Sequence, residues 1–199
     1  MDSRRDSAAL RPTRRMVFNP ARLTENNALL WGVAWLIVGA MLGWYFRLIP
    51  ASLVGYDIAP YIPLLRHLLL EAEVWVVATV PLYGAAIIAN RRASLRELFS
   101  RALYARWPLL LLMLPAIFGW RMEYAVFVND VAAAFGEYWL FATVMTLLYG
   151  VVAAWYLYWG LLLFRKVVGH SNAKVVVLYV VAQSVAALLV WMVLQYAVE

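Results

Sequence analysis

Five runs free of charged residues, Asn26 to Phe46, Val74 to Asn90, Trp107 to Trp120, Tyr138 to Phe164 and Val175 to Val198, alternate with short polar segments along this chain. Backbone polar groups inside a bilayer must be satisfied within the segment that carries them. Runs approaching the ~20 residues needed to cross it therefore predict helices. A membrane β-barrel would alternate apolar and polar positions over about ten residues, whereas these runs are apolar on every side. The pattern predicts an all-α fold: a polytopic bundle of five transmembrane helices at about 26–46, 72–90, 105–127, 138–164 and 175–198, preceded by a polar tail over 1–25.

The runs are not equivalent. The second has Pro81 at its centre, and proline both removes a helix hydrogen bond and crowds the preceding turn, so a kink is expected there. The third has only 14 uncharged residues, which rise about 21 Å as a helix, short of a ~30 Å hydrocarbon core. Snorkelling by Arg121 can extend it, and Pro108 and Pro115 make it a helix with a proline start and a kink, with a broken helix left open. In the fourth, Trp155, Tyr156 and Trp159 fall on neighbouring helix positions and suit a bundle or lipid surface. Mid-way along the fifth, Gln183 is predicted to hydrogen-bond across the bundle, a contact worth about 0.6 to 2 kcal/mol. Gly39-x-x-x-Gly43 in the first permits close helix approach, within the bundle or against a partner.

Two connecting segments stand out. Ser94-Leu95-Arg96-Glu97 forms a capping box, after which Leu95, Leu98, Phe99, Ala102 and Leu103 share one face. This predicts a short amphipathic helix lying at the membrane interface before the third span. Its arginines and their neighbours, Arg91, Arg92, Arg96, Arg101 and Arg106, are candidates for pairing with anionic lipid headgroups, at roughly 1 kcal/mol each. The other segment, Arg47 to Glu73, carries Pro50, Pro60 and Pro63 and an apolar stretch around Arg66 and His67. It is expected to lie on the membrane surface or to fold back over the bundle.

Charge supplies an orientation. All but three of the 17 basic residues lie in the tail, in the segment after the second run, or in that after the fourth. The exceptions are Arg47, Arg66 and Arg121, which share their segments with most of the acidic residues. The positive-inside rule makes the N-terminus cytoplasmic, and five spans leave the C-terminus outside. The net charge of +6 thus reflects topology, and no basic soluble domain offers a nucleic-acid surface. A hydrophobic content of 66% and a mean hydropathy of +0.76 agree with a membrane domain over 26–199. There is no cysteine, so thiol chemistry and disulfides are excluded. With no charge at the centre of any run, no phosphate loop and no catalytic or metal-binding motif, neither catalysis nor cofactor binding is expected.

The order of features resembles the bacterial Yip1-domain proteins. It runs from Phe18-Asn19-Pro20-Ala21-Arg22 through the basic loop with Ser94-Leu95-Arg96-Glu97-Leu98 and Trp107-Pro108 to Tyr158-Trp159-Gly160-Leu161. That resemblance implies a five-span protein of the bacterial inner membrane. It carries over no site residues, and the Asp-Leu-Tyr-Gly-Pro motif of the eukaryotic, GTPase-binding branch is missing. Two functions are expected in competition. One is a non-enzymatic adaptor or organiser that binds anionic lipid and other membrane proteins or itself. The other is a small permeation or lipid-handling protein with a pathway beside Pro81, Pro115 and the proline-kinked helices.

Overall fold

In the computed structural model, residues 23–58, 61–90, 92–169 and 172–197 are described. The tail over 1–22 and Arg91 lie outside them. The described chain is mostly helical. It comprises α1 (Glu25–Phe46), a hairpin of β1 (Leu48–Ser52) and β2 (Gly55–Ile58), α2 (Leu64–Ala89), α3 (Leu95–Ala105), a 3-10 helix (Trp107–Met113), α4 (Leu114–Ile117), α5 (Arg121–Asn129), α6 (Val131–Glu137), α7 (Trp139–Val168) and α8 (Ala173–Ala197). Among the described residues four helices, α1, α2, α7 and α8, are long and apolar enough to cross a membrane. These are the marks of a multi-pass membrane protein.

Over the expected third span, 105–127, the chain takes the broken form that the prolines left open: the 3-10 helix, α4 and α5. Its prolines explain the break: Pro108 and Pro115 sit in the first turns of the 3-10 helix and of α4, where a missing N–H costs least. Gly119, at φ 87°, then turns the chain before α5. Pro81, by contrast, is accommodated inside an unbroken α2.

The second span also begins earlier than the expected residue 72. Pro63 caps α2, and the leucine-rich stretch after it propagates the helix from Leu64, carrying His67, Glu71 and Glu73 into the bundle. The segment before it folds back over the bundle as the hairpin. Leu48 pairs with Ile58 and Pro50 with Tyr56, and Leu48, Ile49 and Tyr56 are buried. Arg47 adopts the left-handed conformation (φ 56°) and returns its N–H to the Gly43 carbonyl, ending α1.

Three close approaches fix the order of the bundle. Arg96 meets Glu25, Leu103 fills the space at Gly32, and Leu110 that at Gly39, so α3 and the 3-10 helix climb parallel to α1 in steps of seven residues. Against the same helix, Gly39 faces Glu71 and Gly43 faces His67, so α2 runs antiparallel. On the far side, α7 stacks Trp159 on Tyr104 with ring centroids 5.9 Å apart, and packs Trp155 and Trp159 edge-on against Trp107. The expected short helix before the third segment is present, with its apolar face turned onto the bundle. Ser94 caps it, accepting from Glu97 N at 3.3 Å, and Leu98, Ser100, Arg101, Leu103 and Tyr104 are all buried among neighbouring helices.

Candidate functional site

The climb of α3 beside α1 and α2 carries charge into the bundle. Arg101 is 3% exposed. It donates through Nε and Nη2 to Glu97 Oε1, one turn earlier, at 3.0 and 2.7 Å. Five residues on, at the end of α3, Arg106 Nη2 stands 3.9 Å from Glu71 Oε2, with both side chains almost fully buried. The Tyr56 phenol, brought down by the hairpin, shares the wall of one cavity with the Glu71 carboxylate. Burial, aided by that carboxylate, holds the Tyr56 phenol well above its ordinary range. Buried charge therefore lies off the centres of the apolar runs: Glu71 sits in the first third of α2, and Arg101 and Arg106 enter the core on and just after α3.

Helix α2 is joined to α3 at the same level. The Trp75 indole donates to the Phe99 carbonyl at 3.3 Å, and Thr79 closes onto the Trp75 carbonyl at 2.8 Å. On α8, Gln183 makes the predicted cross-bundle contact: it accepts from the Tyr156 hydroxyl at 3.4 Å and donates to Tyr179 at 3.0 Å. Gly160 leaves the room that the Tyr179 hydroxyl fills.

Two internal cavities, each of about 20 Å³, flank Arg106. Each is large enough for a single water. The first lies among α2, α3, α7 and α8, with Thr79, Arg101, Arg106, Tyr156, Tyr179 and Gln183 on its walls. The second lies between α1, α2 and the 3-10 helix, walled by Gly39, Tyr56, Glu71, Arg106 and Trp107. Arg106 and Trp75 line both. At the hairpin end the polar series continues through Tyr124, whose hydroxyl bonds the Tyr56 carbonyl and the Tyr149 hydroxyl, each at 2.9 Å. At the other end, Arg96 pairs with Glu25 at 2.8 Å and Asn26 at 3.3 Å.

The predicted residues therefore separate. Of the headgroup candidates, Arg92 and Arg96 are exposed, whereas Arg101 and Arg106 are withdrawn into the bundle. Gly39 and Gly43 are consumed by internal packing against Leu110, the Leu48 carbonyl and His67. Gln183 faces the first cavity. Neither Pro81 nor Pro115 lines either of these two cavities; Pro115 is buried where the third segment breaks. Glu71 and Tyr56 were missed. The available signal for Glu71 was Pro63 followed by an uninterrupted helix-forming run.

A third concavity, of about 600 Å³, opens on the outer surface between α2 and α3. It is almost wholly apolar, lined by Val76, Thr79, Val80, Tyr83 and Phe99, and Arg96 stands at its rim. Among the described residues no three His, Asp or Glu side chains gather. The interior chemistry is that of guanidinium, carboxylate, phenol and amide groups. No family model, curated protein or solved structure matches this chain.

Proposed function

We propose that this protein is a non-enzymatic, multi-pass membrane protein that works through its bundle interior, as a permeation protein for a small polar or charged solute. The observation that carries this reading is the pair of buried arginines, Arg101 and Arg106, flanked by small cavities and by Glu97, Glu71, Tyr56 and Gln183. Charged groups at membrane depth are costly and ordinarily mark a substrate or ion route. Reconstituted into liposomes, the protein should let small polar solutes cross faster than protein-free vesicles do, and Arg106→Gln should change that flux. Flux equal to that of empty vesicles would end this reading.

The same reading takes the segment from Leu95 to Ile117 as a discontinuous fifth crossing. Laid end to end, its α, 3-10 and α pieces rise about 36 Å, enough for a ~30 Å core, and they climb parallel to α1. Irregular backbone is tolerated at that depth only where protein covers it, as α1, α2 and α7 do here. With the N-terminus cytoplasmic, as the arginine distribution favours, the C-terminus is outside. A reporter active only outside the cytoplasm should work after Glu199 and fail after Arg92. Inactivity at both sites would reduce the crossings to four.

A second reading, the lipid-binding organiser of Yip1 type in a bacterial inner membrane, has the α2–α3 groove in its favour. An acyl chain fits its apolar walls and an anionic headgroup suits Arg96 at the rim. Co-purification of anionic lipid, lost on Arg96→Glu, would favour it. Association with other membrane proteins, or with itself, belongs to this reading.

A further inference from the structure

We propose that the cavity among α2, α3, α7 and α8 is a binding site for a small anion, of the halide class. The inference rests on the bundle interior being the working part of the protein, and it names the ligand. Around this cavity the unsatisfied groups are donors. Arg101 and Arg106 both line it, and each keeps a buried Nη1 with no hydrogen-bond partner; beyond Arg106, at the second cavity, the Trp107 indole N–H is equally unpartnered. Buried donors without acceptors are expensive, at about 1–3 kcal/mol each and more for charged groups, so a wall of them selects a ligand that only accepts.

Charge points the same way. Glu97 occupies the Nε and Nη2 edge of Arg101, and Glu71 approaches Arg106 only at 3.9 Å. Both carboxylates thus leave the Nη1 of the arginine they face without a partner. Neutral donors complete the setting: the Tyr179 hydroxyl already accepts from Gln183 and retains its own proton to give. The volume of about 20 Å³ admits a single-atom ion and excludes a carboxylate or phosphate ester.

The test compares melting of the full-length protein in mild detergent in sodium chloride or bromide with sodium gluconate, an anion too large for the cavity, at equal ionic strength. Halide at tenfold over its dissociation constant should raise Tm saturably, by about 3–6 °C. The double substitution Glu97→Gln/Arg101→Gln keeps the local charge balanced and should abolish the rise. Arg106→Lys keeps the charge, drops the free Nη1, and should weaken the response several-fold even if the double variant fails to fold. Equal melting of the wild type in halide and gluconate overturns the site and leaves water as the occupant. A halide response unchanged in Arg106→Lys overturns its placement. Solute flux in liposomes without any halide response would sink the anion site and spare the permeation reading, whereas a halide response without flux would spare the site and sink permeation.

Discussion

Arg106→Leu should melt far below the wild type, with a loss of about 3 kcal/mol or more, while Glu71→Leu/Arg106→Leu should recover most of that stability. Removing the arginine alone leaves the Glu71 carboxylate buried in the bundle without its counter-charge. An uncompensated buried charge is a much larger penalty than the pair is a gain. The pair itself is loose, at 3.9 Å, so two apolar side chains of similar volume should replace it at small cost. Tryptophan-fluorescence melting in detergent measures both variants. A double variant as unstable as the single would show that Tyr56 or the cavity, and not the stranded carboxylate, sets the loss.

Gly43→Val should destabilise by about 1–3 kcal/mol, the usual penalty of overpacking a filled interior, without changing the association state seen by light scattering. A Cβ there would stand 2.7 Å from the Leu48 carbonyl oxygen and 3.3 Å from His67 Nδ1. The first is backbone, held by the hairpin, and cannot yield. Gly39→Ala should be milder, because the nearest atom, Leu110 Cδ2 at 2.9 Å, ends a flexible side chain. Loss of an oligomer in Gly43→Val with unchanged melting would return this helix face to a partner.

The sequence made legible whatever follows from uninterrupted apolar length. α1, α7 and α8 fall within a few residues of their expected bounds, since nothing in those runs competes with the helix. Ser94 and Gln183 were legible too, because a cap is local and a lone amide in an apolar run has few ways to be satisfied. The polar interior was hidden for one reason. Charge was taken to mark the membrane surface, so Glu71 was left before the second span and Arg101 and Arg106 were given to lipid headgroups, although each is buried and Arg106 finds its counter-charge only in three dimensions. The pairing of Arg106 with Glu71 joins residues 35 positions apart, and no local spacing rule reaches that far.

The discontinuous segment beside α1 also constrains how the protein is made. With Arg101 and Arg106 inside it, each opposing partition into lipid by about 2.5–3.5 kcal/mol at a helix centre, this stretch is a poor candidate for insertion on its own. What it needs is already laid down by the chain preceding it: the Glu71 carboxylate on α2 and the glycine-lined trough at Gly32 and Gly39 on α1. Synthesis from the N-terminus delivers those two helices first. On the five-crossing reading, the Glu71 carboxylate and the small residues of α1 form a docking template for that segment, and the order of the segments along the chain becomes part of its insertion.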